Sequence, residues 1–486
     1  MAAIITEKFR VHNAKQFRED FGESSSSTYV FIGRSYDWAD DNAPPAPANA
    51  VGEEVDAFSD MIALKKVITS DVSHGLVRRN WTPNTSYDEY QHDISSSNPG
   101  VASGATNLYD ATFYVITDEY HVYKCIRTGR DSSGSVVAST VKPTGTSPTA
   151  LVETADTNAD QYGYLWKYMY SVSASDTIKF VTNDFIPVKT LGAQTEIYGE
   201  TGLGTAATDD GSSQWDVENQ AVDGAVHHIV VTAGGSGYTN GDFTGVDILG
   251  DGQNGECTVT VSGGSVTKIV VTTAGSGYKR ASIDIQSISG IGSGVNAAAK
   301  VIISPLIGHG SDPVEELGGN YIIVNSRLEF NEGEGDFPTD NDFRRIGLIQ
   351  DPFNNGTTTV STSDTLTSYN QFVASSVANI SVDDTIMSAA TNGSAVAVSR
   401  VVSVDSTNSI VKHVPIANSG GQYVDFVNSS TVYVDGVNVA TIGASGISTT
   451  HPEMQRYSGN IMYIENRGAV TRAADQIEDI KLIVEM

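Results

Sequence analysis

Apolar residues along this chain recur mostly at the period of two expected of half-buried strands, and at helical spacing only near its start. At the far end, Ile480, Leu482 and Val484 alternate with Lys481, Ile483 and Glu485, which predicts a closing strand. Before it, Ser458-Gly459-Asn460-Ile461-Met462-Tyr463-Ile464-Glu465-Asn466-Arg467 reads as a strand running into a polar turn, with an acid close to a base. A chain that finishes by completing a sheet is expected to have that terminus tied into its core. Near the start, Asn13 is placed to cap a short helix carrying Phe17 and Phe21 on one face, ended by Gly22. A second helix is predicted over about 55–67, with Phe58, Met61 and Ile62 apolar and Lys65-Lys66 near its C-terminal end, where cations suit the dipole. Between the two, Tyr29-Val30-Phe31-Ile32-Gly33 reads as a buried strand, and the acidic, proline-rich run 40–47 as a loop.

Further along, 112–127 reads as a hairpin turning at Asp118-Glu119, and 162–172 as an aromatic strand with Tyr164, Trp166, Tyr168 and Tyr170 on one face. Such a stripe is more often sheet packing than a binding platform. The next segment holds an internal repeat: Ile229-Val230-Val231-Thr232-Ala233-Gly234-Gly235-Ser236-Gly237-Tyr238 recurs, 40 residues on, as Ile269-Val270-Val271-Thr272-Thr273-Ala274-Gly275-Ser276-Gly277-Tyr278. Each copy reads as a β-branched strand, a glycine turn and a tyrosine able to lie over it. Asn254-Gly255 and Gly263-Gly264 between them are hairpin signals. A second β-rich stretch, about 355–448, holds Asn355-Gly356, Asn392-Gly393 and Asp435-Gly436; the last lies between Val432-Tyr433-Val434 and Val437-Asn438-Val439 and is the strongest hairpin signal in the chain. Its few charges and many Ser and Thr suggest a small sandwich-like domain.

At 486 residues the chain exceeds what one core serves, roughly 250–300 residues, so several modules are expected. Lys plus Arg number 29 against 58 Asp plus Glu, a net charge of -29. That balance argues against nucleic-acid partners, which need clustered basic residues, and against anionic membrane surfaces. Only Cys125 and Cys257 occur, which excludes a disulfide scaffold and fits synthesis in a reducing compartment. Residues 1–10 lack the apolar core of a signal peptide, and no segment approaches the roughly 18 apolar residues of a membrane span. The expected product is cytoplasmic when made.

Several scattered pieces carry a resemblance. They are Ala3-Ile4-Ile5-Thr6-Glu7-Lys8-Phe9-Arg10; Phe31-Ile32-Gly33-Arg34-Ser35 with Trp38; Ala43-Pro44-Pro45; Val77-Arg78-Arg79-Asn80-Trp81; Gly163-Tyr164-Leu165-Trp166-Lys167-Tyr168 with Thr182-Asn183; Asp342-Phe343-Arg344-Arg345-Ile346-Gly347-Leu348-Ile349 with Asp351-Pro352; and the C-terminal run. In this order the chain resembles the gene-product-eight family, the baseplate wedge subunits of T-even-type contractile-tailed phages. The resemblance implies a fold that is mainly β with a few short helices: a discontinuous β-sandwich core (1–190, 306–353 and 449–486) plus two inserted all-β domains, the repeat module 191–305 and 354–448. Insertions are tolerated where their ends lie close together on a surface loop. It also implies a structural virion protein without enzymatic activity, a homodimer bound to other wedge proteins in the tail baseplate during ordered assembly and contraction.

The chemistry-bearing constellations are weak by comparison. Gly308-His309-Gly310-Ser311-Asp312 gathers a nucleophile, base and acid, yet a triad draws these from separate segments. Carboxylates crowd at Glu332, Glu334, Asp336, Asp340 and Asp342, and at Asp247, Asp251 and Glu256, without the spacing of a known calcium loop. His227-His228, adjacent on a strand, face opposite sides and cannot share a metal. Gly234-Gly235-Ser236-Gly237 lacks the lysine and helix of a phosphate loop, and Tyr238 and Tyr278 are read as packing rather than sugar-stacking residues. No catalytic, cofactor or metal site is therefore assigned. In so acidic a chain the arginines of the matching stretches, Arg34, Arg78, Arg79, Arg344, Arg345 and Arg467, with Glu465 and Asn466, are the candidates for paired contacts within the chain or between subunits. The alternatives are a receptor- or glycan-binding tail component, with the inserts doing the binding, and a polysaccharide-degrading tail enzyme.

Overall fold

The computed structural model describes residues 4–23, 25–193, 209–329, 337–473 and 476–486. The fold is mainly β, with a few short helices, several antiparallel sheets and a small barrel. Two compact units interleave along the chain: Met1–Gln16, Ser73–Ile323 and Ile483–Met486 form one, Phe17–Val72 and Val324–Leu482 the other.

In the second unit a five-stranded sheet runs in the order Thr365–Thr367, Met61–Lys66, Thr28–Gly33, Asn341–Gln350, Asn460–Arg472. The expected strand at Tyr29–Gly33 is its centre, every residue buried. The second helix is shorter than expected: it spans Val51–Asp60, and Met61–Lys66 is a strand. Phe58, Met61 and Ile62 fall at helical spacing, but Met61-Ile62-Ala63-Leu64 is an unbroken apolar run with both faces covered. Leu64 lies between Phe31 on one neighbour and Leu366 on the other. Lys65 and Lys66 therefore end a strand, not a helix. The first helix, Glu7–Asp20, begins earlier than expected. Thr6, not Asn13, caps it: Phe9 N donates to Thr6 Oγ1 at 3.3 Å.

The strand Asn460–Arg472 continues straight through Glu465, Asn466 and Arg467, so the expected polar turn is a strand interior. Its polar residues face a partner strand that offers polar and backbone groups, Asn466 lying opposite Arg345. The closing strand is Glu478–Glu485, with Ile480 and Leu482 buried as the alternation requires.

Within 354–448 six strands close into a barrel in the order Asn370–Ala374, Ile410–Pro415, Val398–Asp405, Thr385–Met387, Thr431–Val434, Val437–Ile447. Closure replaces the two-layer arrangement expected: the first strand pairs with the last, Phe372 opposite Ile447. Asp435-Gly436 makes the expected two-residue turn, both residues at positive φ (48° and 79°). Phe372, Ile386, Val401, Val411, Phe426 and Val432 fill the interior.

In the first unit, the expected hairpin joins Tyr114–Ile116 to His121–Arg127, and the aromatic strand, Leu165–Ser171, adds beside it. The aromatic stripe divides. Tyr164, Trp166 and Tyr168 pack with Tyr87 and Tyr123, whereas Tyr170 joins Phe113 and Tyr114. A bulge causes this: Val122 pairs with Tyr170 but Tyr123 pairs with Tyr168, so one extra residue, Met169, reverses the facing of the strand beyond it.

The repeat module is built by exchange. The first repeat strand, Val226–Ser236, pairs with Val295–Ile303; the second, Ser265–Ser276, pairs with Gln253–Ser262. The glycines expected to make turns lie at the strand ends. Gly235 and Gly275 share φ 64°, and a Cβ there would come within 2.4 Å of Val295 O and 2.6 Å of Gln253 O respectively. Asn254-Gly255 is likewise no turn but part of the strand Gln253–Ser262, with Asn254 at φ 60°. Gly263-Gly264 is the true hairpin turn. Tyr238 covers Gly294 and Tyr278 covers Gly252, both rings buried, as the packing reading predicts. A short helix, Ser213–Asn219, capped by Ser212, precedes the module's strands.

Candidate functional site

Six of the eight residues singled out from sequence gather in the second unit. Arg344 and Arg345 are neighbours on the strand Asn341–Gln350, so their side chains leave on opposite faces. Each is buried and each is satisfied within the chain. Arg345 donates from Nη1 to Asp60 Oδ2 (2.9 Å), from Nη2 to Glu53 Oε1 (2.7 Å) and from Nε to Asn466 Oδ1 (3.0 Å). Arg344 donates to Asp41 (2.9 Å), Asp37 (2.7 Å), Asp342 (3.1 Å) and Ser35 O (2.8 Å). Arg34, at φ 56°, lies over the rings of Tyr36 (3.9 Å) and Trp38 (3.5 Å) and donates to Asp37 O. Trp38 Nε1 donates to Arg467 O at 2.9 Å, and Asn466 Nδ2 to Pro45 O at 3.2 Å. Glu465 accepts from Tyr463 Oη rather than fixing a turn with Arg467.

The cluster clamps the loop 35–47 onto the end of the sheet. Five carboxylates surround three guanidinium groups, and their environments differ. Arg344 hydrogen bonding holds Asp41 below the usual carboxylate range. Burial pushes Asp60 up to about 7, against the opposing pull of Arg345 and Arg34, and Asp56 adds to the rise. Asp60 Oδ1 has no hydrogen-bond partner among the described residues. Gly33 permits this crowding, since a Cβ there would stand 2.9 Å from Asp60 O.

Arg78 and Arg79 lie in the first unit. Arg78 donates to Asn80 Oδ1 and Thr182 O, both at 2.8 Å; Arg79 donates to Ala111 O (2.6 Å) and Tyr109 O (2.9 Å) while lying over Tyr114. Arg467 differs from the rest: its side chain is exposed, and its guanidinium has no hydrogen-bonded acceptor among the described residues.

The weaker constellations are absorbed by structure. Ser311 Oγ donates to Gly308 O at 2.9 Å, His309 packs edge-on against Tyr90, and Asp312 caps the helix Pro313–Leu317. No line of proton transfer connects them. Asp342 pairs with Arg344 and accepts from Thr471 Oγ1. Glu332, Glu334 and Asp336 lie outside the described residues. Asp251 accepts from Lys279 N and Arg280 N, both at 2.9 Å. Among the described residues no group of three or more His, Cys, Asp or Glu could hold a metal ion, and no helix is long and apolar enough to cross a membrane.

Sequence reasoning missed two buried charge clusters in the first unit. Lys124 Nζ meets Glu316 Oε2 at 2.8 Å, with Tyr90 4.0 Å away, and Glu89 accepts from Thr128 while facing His228 and Arg130. The signal for the first is Lys124 inside the apolar run Val122-Tyr123-Lys124-Cys125-Ile126. A charge there is either an error of register or a buried pair.

Residues 3–135 match the family model described as Bacteriophage T4, Gp8. A similar protein is the baseplate wedge protein gp8 of Enterobacteria phage T4, 25% identical over 207 residues, which cover 38% of this chain and 60% of that protein. The chain thus spans about three fifths of the length of the curated relative it matches. Over these stretches the chain is similar to the Gp8 family of phage baseplate wedge proteins.

Proposed function

We propose that the chain is a structural subunit of a baseplate wedge in a contractile phage tail, working as a homodimer that docks neighbouring wedge proteins. The match of residues 3–135 to the Gp8 family carries this reading. The chain's own chemistry is consistent with it: the residues that suggest catalysis are engaged in caps, turns and internal ion pairs, so the reading is of a scaffold and not an enzyme. A net charge of -29 suits a subunit kept soluble until specific partners capture it. The division into a core (1–190, 306–353, 449–486) with inserts at 191–305 and 354–448 belongs to the same proposal.

Labelling intact virions with an antibody to the chain tests the location, with signal expected at the tail end distal to the head. Label confined to unassembled material would overturn the wedge reading. Native mass spectrometry tests the dimer separately: the expected mass is twice 51.5 kDa, and a stable monomer at micromolar concentration would rule it out.

A further inference from the structure

The first unit contains a cavity of about 260 Å³ lined by Arg127, Leu151, Glu153 and Leu165 on one side and by two repeat-module strands on the other. From the strand Ser265–Ser276 the lining residues are Ile269, Val270, Val271, Thr272 and Ala274; from Val226–Ser236 they are His227 and His228. Consecutive strand residues send their side chains to opposite faces. Near-consecutive residues can all line one cavity only if it runs along the strand's main-chain edge. Both strands offer such an edge. Ser265–Ser276 ends the order Gly241–Asp247, Gln253–Ser262, Ser265–Ser276, and Val226–Ser236 is paired on one side only, with Val295–Ile303. Next to the cavity, Gln161 Nε2 donates to Thr267 O, which closes that end of the edge. The cavity, partly open to solvent, thus runs along two strand edges, and a strand edge offers main-chain donors and acceptors to a hydrogen-bonding occupant.

The side chains define its charge. Arg127 is buried, donates from Nη2 to Glu153 Oε1 and Gly163 O, and lies over Tyr162; its buried Nε has no acceptor among the described residues. A buried guanidinium donor without a partner is costly, and an anion would satisfy it. Glu153 stands at the rim with its side chain about half exposed, where solvent screens its charge and its carboxylate can accept from hydroxyl groups. Burial, together with Lys167 and Lys124, lowers His227 to about 4, so its imidazole is neutral near pH 7 and can donate from one nitrogen and accept at the other. Leu151 and Leu165 supply an apolar wall. The volume lies just below the roughly 300 Å³ at which drug-sized pockets begin, which limits the occupant to about one ring.

We propose that this cavity binds one hydroxylated monocarboxylate of single-ring size, a uronic-acid sugar being the chemical class that fits. The carboxylate sits on Arg127, the hydroxyls on Glu153, His227 and the strand edges, and a C–H face against the leucines. The site is independent of the wedge assignment, because it rests on none of the arginines placed at candidate subunit contacts.

Titration calorimetry on the full chain with D-glucuronate tests it, with D-glucose and acetate as controls. Saturable heat is expected with glucuronate, with both controls at least roughly tenfold weaker, and Arg127→Gln should weaken glucuronate by a similar factor. Leu151→Trp, which fills the space and leaves the ion pair intact, should do the same and decides the matter if Arg127→Gln does not fold. Absence of saturable binding, equal affinity for glucose, or unchanged affinity in Leu151→Trp would each overturn the assignment.

Discussion

Asp60 Oδ2 lies 2.9 Å from Arg345 Nη1 with both side chains only 2% exposed, yet burial still raises Asp60 to about 7. The pairing offsets part of the desolvation of the carboxylate but not all of it. An ordinary aspartate in the unfolded chain titrates near 4. Between those values the folded state holds a proton that the unfolded state has released, so this residue's contribution to stability is complete below about pH 4 and is lost as pH rises through 7.

Asp60→Asn abolishes that titration, so the variant's stability relative to the parent should rise between pH 4 and 7 and level off above it. The slope is roughly 1.4 kcal/mol per pH unit at most. Denaturant midpoints of both proteins at pH 5, 6, 7 and 8 measure it; a difference that stays constant across the series means that Asp60 ionises normally.

The Lys124–Glu316 pair should behave in the opposite way to a surface ion pair. Glu316 also accepts from Gly310 N at 2.7 Å, so it anchors the segment before the helix Pro313–Leu317 as well as neutralising Lys124. Burial lowers Lys124 even with its partner present. Glu316→Gln strands a buried ammonium and is expected to cost about 3–5 kcal/mol in a chemical unfolding experiment. Adding Lys124→Met should recover a large part of the loss. A double variant no more stable than Glu316→Gln would locate the effect in the Gly310 contact.

Part of this architecture is legible in the sequence. Tyr29–Gly33, the hairpin around Asp118-Glu119 and the Asp435-Gly436 turn are each a local pattern: a β-branched or aromatic run, or a dipeptide whose backbone preference selects one turn. Met61–Leu64 misleads because its helical spacing with Phe58 is real, and only the strands on both sides, one from 365–367, decide against it. Glu465 to Arg467 resembles a turn because polar residues in a strand become sensible only once Arg345 is known to lie opposite Asn466. Composition marks the arginines as partners for carboxylates, but which carboxylates depends on contacts nearly 300 positions apart, such as Arg345 with Asp60. No local pattern carries that information.

The exchanged repeat predicts matched glycine sensitivities. Gly235 and Gly275 combine positive φ with a main-chain oxygen within 2.6 Å of any added Cβ, whereas Gly263 has positive φ but open space around it. Gly263→Ala should therefore cost roughly 1 kcal/mol, the conformational penalty alone. Gly275→Ala and Gly235→Ala should each cost clearly more, because the backbone of the paired strand must shift. Thermal unfolding of the three variants gives the comparison. Equal losses at all three positions would mean that the close approach has no energetic weight.

Arg345 and Arg467 offer the sharpest separation between holding the fold and holding a partner. Both are singled out by the sequence as candidate contacts, and they lie one residue out of register on adjacent strands, since Arg345 faces Asn466. Arg345 is enclosed and makes three side-chain bonds to Asp60, Glu53 and Asn466. The Arg467 side chain has no hydrogen-bonded acceptor among the described residues, and its carbonyl, the acceptor for Trp38 Nε1, survives any substitution of that side chain. Arg345→Ala is expected to destabilise the chain by about 3 kcal/mol or more, through carboxylates left buried and unpaired. Arg467→Ala should leave the unfolding midpoint within about 0.5 kcal/mol of the parent, as exposed substitutions do. Sedimentation of Arg467→Ala should nevertheless show weaker self-association, by roughly tenfold or more if the guanidinium anchors a subunit contact. Unchanged self-association in a normally folded Arg467→Ala protein would remove this arginine from the interface and move the search to the exposed apolar residues Ile4, Ile5 and Phe9.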